Sequence, residues 1–287
     1  MPEVRVDPLT GYKTIVAAER AERPGGGLRA EPGPPLDPAT DPFAEGHEDR
    51  TPPEIHAVRP RGGAANGPGW TVRVVPNLYP ALTPAPAEAL PATRDAYPDL
   101  FTAAPAHGAH EVIVNAPAPV TSLADLTADQ VAAAMDVWRE RMRAHPDAAY
   151  VHLIVNERRE AGASLPHTHA QLYALGFVPA AVARERERFG AYAVRTMGGN
   201  LLDDLLQEEV RRRERVVAID DEAVALAPYG ARLPYQLMIV PRVGRPRFED
   251  AGATGARLLH DVLNRLRRVL GAMPPLNLWV RTAPRGA

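Results

Sequence analysis

Proline and glycine decide where this chain can be regular. Its 287 residues include 31 prolines and 22 glycines, many of them crowded into three stretches. Residues 22–50 hold Pro24, the Gly25-Gly26-Gly27 run, Pro32, Pro34, Pro35 and Pro38, and residues 52–69 and 83–98 are similarly turn-rich. Proline fixes φ and lacks a backbone donor, so these stretches exclude helices and central strands. The segments between them are short and β-branched, which predicts strands over residues 13–17, 70–75 and 111–115.

The pattern then lengthens. A helix is predicted over residues 127–145, capped by Thr127, with Val131, Met135, Trp138 and Met142 on one face. A strand over 150–156, a polar glycine-containing loop over 157–166 and a strand over 168–175 follow. A charged helical stretch over 180–213 is interrupted at Gly198-Gly199. Strands over 215–219, 223–227 and 235–241 come next, then a helix with Leu258, Val262, Leu266 and Val269 on one face, then a strand over 276–281. This second series repeats the order of the first but stops where a last loop and strand are expected. The fold reading is α+β in two related units, residues 1–197 and 198–287, the second cut short.

Composition narrows the chemistry. The chain has no cysteine, which excludes disulfides, a thiolate nucleophile and the thiolate ligands of most structural zinc sites. With 45% hydrophobic and 24% charged residues it has the make-up of a globular enzyme. A net charge of -2 supplies no basic field for nucleic acid. No apolar run approaches the roughly 20 residues a membrane helix needs. The N-terminus lacks the basic and apolar regions of a signal peptide, so no membrane association and a cytoplasmic address are expected.

The densest chemistry lies in residues 156–173. From His167 onward the segment alternates: His167, His169, Gln171 and Tyr173 point to one side of a strand, Thr168, Ala170, Leu172 and Ala174 to the other. Polar side chains aligned beside the Gly162-Ala163-Ser164 loop need partners if buried, so that face suits a polar cavity. Three chemistries are open to an imidazole there: metal ligation with its neighbour, acid–base work, or direct attack on an electrophile. Metal ligation by His167 and His169 lacks a nearby third ligand, since the next Asp, Glu or His is Glu185. Attack needs a neutral ring held in one tautomer and donors for a phosphate's oxygens, which Gln171, Ser164 and nearby backbone N–H groups offer. Two ordinary edge-strand histidines would be the uneventful alternative.

The segment resembles the active-site signature of the galactose-1-phosphate uridylyltransferase family, a branch of the histidine-triad superfamily, which shows Asn, then Gly-x-Ser, then His-Pro-His-x-Gln. Further blocks keep the family's order: Asp7-Pro8-Leu9-Thr10-Gly11, Glu19-Arg20-Ala21-Glu22-Arg23-Pro24, Glu48-Asp49-Arg50-Thr51-Pro52-Pro53-Glu54, Val75-Pro76-Asn77-Leu78-Tyr79-Pro80 and His110-Glu111-Val112-Ile113-Val114. The resemblance implies two histidine-triad-like units, each an antiparallel sheet with a packed helix. It implies a ping-pong transfer in which His169 attacks the α-phosphorus of UDP-glucose, releases glucose 1-phosphate, and passes UMP to galactose 1-phosphate. Gln171 would then bond the phosphoryl oxygens and Ser164 would assist on the β-phosphate side. Arg20, Arg23, Asn77, Asn156 and Gly162 fall where the family contacts the nucleotide. The partners implied are a sugar nucleotide, a sugar 1-phosphate and a second copy of the chain.

The departures from the pattern matter as much. The family's structural zinc uses a Cys-Pro-x-Cys pair, a later histidine and the first histidine of the active-site pair. Here those positions read Asp41, Ala44, Pro119 and His167. One imidazole does not hold structural zinc, so no cofactor and no metal ligand are expected, with Asp41 or His47 at most salvaging a weak site. A second metal of some members maps to Glu185, with Arg281 in place of a histidine. The tail that would carry further histidines and the hexose-phosphate contacts across a dimer is not in the sequence. Thr168 replaces the proline between the histidines, at a position expected to face outward. Two alternatives follow: phosphorolysis of an ADP-sugar or dinucleoside polyphosphate by the same histidine chemistry, and a degenerate relative that binds nucleotides without turnover. A metal-dependent oxygenase or isomerase is the remaining class.

Overall fold

The computed structural model of the chain describes residues 2–17, 29–84, 100–101 and 103–286. Eleven strands and four α-helices are defined among them. Short strands β1 (Glu3–Val6) and β2 (Lys13–Val16) pair into an antiparallel ribbon. After the proline-rich segment come β3 (His56–Val58), β4 (Val72–Pro76) and β5 (Gly108–Val114). Helix α1 (Ala128–Arg143) leads into β6 (Tyr150–Glu157) and β7 (His169–Leu175). Helices α2 (Ala180–Arg195) and α3 (Leu201–Arg212) are split at the predicted Gly198-Gly199 break. Strands β8 (Val216–Ile219), β9 (Ala223–Leu226) and β10 (Met238–Pro241), helix α4 (Ala256–Leu270) and β11 (Leu276–Trp279) complete the described elements.

The fold is α+β with antiparallel sheets, as expected. The larger sheet runs β11-β6-β7-β5-β4-β3 and the smaller β10-β9-β8. Register in the larger sheet sets Ala170 opposite both Ile113 and Val155, so Ile113, Val155, Leu153, Ala170 and Leu172 share the face that α1 covers. Helix α1 starts in a capping box, with the Thr127 hydroxyl accepting from Gln130 N–H and the Gln130 side chain accepting from Thr127 N–H. It buries Val131, Ala134, Trp138 and Met142 against that face. The Trp138 indole would be costly there without a partner; its N–H donates to Asn115 Oδ1 at 3.0 Å.

Helix α4 is buried on two sides. Leu259 and Leu263 join the core beneath α1, whereas Leu258 and Val262 pack on Ala223 and Ala225 of the smaller sheet. This corrects the single-face reading: Val269 is 67% exposed, because the apolar surface of the helix wraps toward two neighbours.

Two further differences have physical causes. Strand β3 lies inside a stretch read as turns, since three residues are too few for a periodic signal. Strand β11, read as part of the second unit's own series, hydrogen-bonds instead to the outer edge of β6, with Asn277 opposite Asn156. An unpaired β6 edge would leave its backbone groups open, and β11 satisfies them. Among the described residues no helix is long and apolar enough to cross a membrane.

Candidate active site

The face of the larger sheet opposite α1 is built by the same register. Val114 stands opposite His169, Val112 and Ile154 opposite Gln171, and His110 and His152 opposite Tyr173. Period-two alternation therefore gathers His110, His152, Asn156, His169, Gln171 and Tyr173 on one surface while their neighbours fill the core. The alternation read from the sequence is correct in this region. The outward placement of Thr168 is not. Thr168 is buried, its hydroxyl donates to Glu157 Oε1 at 3.0 Å, and it accepts from Asn115 Nδ2 at 3.2 Å. The side of β7 away from the histidines is the side α1 covers, so no position there meets solvent.

His169 is held in one tautomer. Its Nδ1 lies 2.7 Å from the carbonyl oxygen of His167, an acceptor only, so Nδ1 carries the proton and Nε2 the lone pair. Burial lowers its pKa below the usual imidazole value, outweighing the hydrogen bond to that carbonyl. The ring is neutral at pH 7, as a nucleophile must be. Phe43 packs edge-on against it at 5.2 Å and against His167 at 6.2 Å.

The amide of Gln171 is oriented by two donors. His110 Nδ1 accepts from Ala81 N–H at 3.0 Å, so the His110 proton sits on Nε2. That Nε2 lies 3.1 Å from Gln171 Oε1, which also accepts from the Tyr173 hydroxyl at 2.9 Å. With its oxygen taken twice, Gln171 turns its NH2 group to the open side. Burial pushes the His110 pKa down against the pull of Gln171, which keeps the ring neutral in this role. Asn77 is anchored beside it, its Oδ1 accepting from Tyr79 N–H at 2.8 Å. Its Nδ2 lies 3.1 Å from His110 Nε2.

Asn156 and Gly162 also converge. Gly162 holds φ at +90°, and a Cβ built there would lie 3.8 Å from Asn156 Nδ2, so the two approach closely across the loop between β6 and β7. Asn277 of β11 donates to Asn156 Oδ1 at 2.9 Å and to the Ala161 carbonyl at 2.7 Å. Ser164 is exposed on that loop, and no hydrogen bond joins it to His169 or Gln171. Arg20 and Arg23 lie outside the described residues. Sequence reasoning missed His110 as the partner of Gln171, and Asn277. The first sat in a recognisable block but gave no sign of its target; the second arrives through a pairing that local pattern does not encode.

The residues at the family's zinc position do not fit a metal. His167 has both ring nitrogens engaged, Nδ1 at 2.6 Å from Asp41 Oδ2 and Nε2 at 2.9 Å from the Ala116 carbonyl. His47 Nδ1 is tied to the Asp41 carbonyl at 2.7 Å. Ala44 and Pro119 carry no side-chain donor atom. At the second position Glu185 is paired with Arg281.

A family model described as galactose-1-phosphate uridyl transferase, N-terminal domain, matches residues 1–179. An ADP-glucose phosphorylase of Arabidopsis thaliana is 27% identical over 293 residues, covering 99% of this chain and 79% of that protein. A galactose-1-phosphate uridylyltransferase of Cryptococcus neoformans is 27% identical over 296 residues, covering 98% of this chain and 74% of that protein. The crystal structure of an Arabidopsis thaliana ADP-glucose phosphorylase with bound ADP-glucose superposes with a TM-score of 0.75 at 25% identity, covering 99% of this chain and 83% of that one.

Proposed function

The chain belongs to the galactose-1-phosphate uridyl transferase family, and from that premise we propose that it transfers a nucleoside monophosphate through a covalent adduct on His169. As a family member it is a nucleotidyltransferase. The finer reading is transfer of UMP from UDP-glucose to galactose 1-phosphate. The adduct is supported by the tautomer of His169, whose Nδ1 contact to the His167 carbonyl leaves the Nε2 lone pair as the nucleophile, and the uridylyl reading by the likeness to the Cryptococcus neoformans uridylyltransferase.

Nε2 attacks the α-phosphorus, a P–N bond forms, and the P–O bond to the β-phosphoryl oxygen breaks with release of glucose 1-phosphate. The imidazole loses no proton; the positive charge it gains is shared through Nδ1–H with the His167 carbonyl. The Gln171 amide donates to the non-bridging oxygens as negative charge gathers there. Asn77, Asn156 and Gly162 are assigned to the nucleotide, with Arg20 and Arg23, and Ser164 to the β-phosphate side. In the second half-reaction a phosphate oxygen of galactose 1-phosphate attacks phosphorus and returns the lone pair to Nε2.

A second reading is phosphorolysis of ADP-glucose, favoured by the Arabidopsis relative and by the structural neighbour, both named ADP-glucose phosphorylases. It uses the same adduct with adenine in place of uracil and inorganic phosphate as acceptor. The test is to incubate the purified chain with UDP-glucose and ADP-glucose, each labelled in the α-phosphate, and to quench in base. An acid-labile, base-stable label on His169 from UDP-glucose, discharged by galactose 1-phosphate, is the expected result. Labelling from ADP-glucose alone selects the second reading. No label from either, or label persisting in His169→Ala, refutes the assignment.

A further inference from the structure

We propose that Asp41 is a positioning residue that takes over the place of a metal: its side chain holds the His167 ring and thereby fixes the carbonyl that holds His169. The inference rests on the reading of His169 as nucleophile.

Both contacts of the His167 ring, the Asp41 carboxylate at 2.6 Å and the Ala116 carbonyl at 2.9 Å, are acceptors. Each ring nitrogen therefore has a partner, one from the Asp41 side chain and one from the Ala116 backbone. Both side chains are fully buried, and such a pair is stable only when every remaining polar group is also met. That condition holds: the other carboxylate oxygen accepts from Phe43 N–H at 3.0 Å, and the Asp41 carbonyl accepts from the His47 ring at 2.7 Å.

The surrounding space agrees with the exchange. Ala44 and Pro119, which stand at two of the lost ligand positions, line one cavity of about 610 Å3 together with His47 and Glu45. Neither Ala44 nor Pro119 places a metal-donor atom in that space, and Asp41 pairs with His167 instead. A parallel exchange occurs at the second position, where the Arg281 guanidinium sits on Glu185 as a fixed cation.

The consequence for catalysis is positional. His167 lies just before β7, locked on both ring nitrogens, and its own carbonyl oxygen takes Nδ1–H of His169 at 2.7 Å. Asp41 also sets the turn that carries Phe43 onto both imidazoles. Losing the carboxylate loosens the carbonyl that selects the tautomer, so adduct formation slows while nucleotide binding, made elsewhere on the face, persists.

The test uses the full chain in three forms: wild type, Asp41→Asn, and a variant with Asp41→Cys, Ala44→Cys and Pro119→His made together. Wild type purified from zinc-supplemented medium is expected to carry no stoichiometric metal and to keep its melting temperature under chelation. Asp41→Asn is expected to label His169 from UDP-glucose or ADP-glucose about 10–100-fold more slowly, the usual cost of removing a partner that orients a functional histidine. Its affinity for the nucleotide should stay close to wild type. The triple variant is expected to bind one zinc, melt higher with it, and regain labelling only when loaded. Stoichiometric zinc in wild type, or normal labelling by folded Asp41→Asn, overturns the proposal. If Asp41→Asn does not fold, zinc-dependent folding and labelling of the triple variant decides the matter. If wild type labels with neither nucleotide, the functional reading fails, and metal content and melting still test whether the Asp41–His167 contact stands in for the metal.

Discussion

His110 and Gln171, on neighbouring strands, meet at 3.1 Å between ring Nε2 and amide oxygen, and this contact makes Gln171 a donor to the site. The Tyr173 hydroxyl shares the task at 2.9 Å, with its ring stacked on His110 at 4.1 Å. Tyr173→Phe keeps the stack and removes one of the two hydrogen bonds. A loss of about 1 kcal/mol in transition-state stabilisation is expected, or about fivefold in kcat/KM. His110→Phe in the same background should cost more than its single variant, because Gln171 is then free to flip. Equal activity of all three proteins removes the orienting role.

Glu157 gives the stability of the fold a defined pH dependence. Burial raises its pKa to about 7, against hydrogen bonds from the Ser122 hydroxyl, Leu123 N–H and the Thr168 hydroxyl. Between the ordinary value near 4.5 and about 7 the folded chain holds a proton that the unfolded chain has released. This group's contribution therefore declines as pH rises through that window, by roughly 2–4 kcal/mol in all. Glu157→Gln keeps an acceptor for Leu123 and Thr168 and does not titrate. Relative to wild type it should gain stability between pH 5 and pH 8 in urea denaturation; a constant difference across that range contradicts the account.

Thr168 occupies the place where the family carries proline, and here it is built into the core network. Its N–H donates to the Val120 carbonyl at 2.8 Å, and its hydroxyl bridges Glu157 and Asn115. Thr168→Pro removes all three contacts. A stability loss of about 1–3 kcal/mol is expected from denaturant titration. The rate of nucleotide labelling should change little, because the side chain points away from His169.

Gly108 opens β5 with φ at +151°, and a Cβ added there would lie 2.0 Å from the Ala174 carbonyl oxygen. The obstacle is backbone, so it cannot swing aside. Gly108→Ala should destabilise the sheet by about 2–4 kcal/mol, read as a lowered melting temperature. Unchanged melting would show that the pairing of β5 with β7 tolerates a shift at its end.

What the sequence disclosed follows physical rules. Strand β7 was legible because polar and apolar residues alternate without interruption from His169 to Ala174, and α1 because its capping residue and buried stripe agree. The Asp41–His167 pair joins residues 126 apart, and nothing near either one announces the other. By resemblance, position 41 is the place of a missing cysteine. Thr168 was misplaced because alternation separates two faces without saying which of them a helix covers. Val269 was misplaced because α4 serves two neighbours, and a single apolar stripe describes only one.

The pairing of β11 with β6 reaches beyond the fold itself. The 179 residues that match the family model include β6 but not the strand that seals it. Expressed as a fragment, they would display a bare β-edge carrying Asn156, ready to recruit a strand from any neighbouring molecule. The polypeptide beyond the matched portion thus supplies the pairing partner of the edge that carries Asn156.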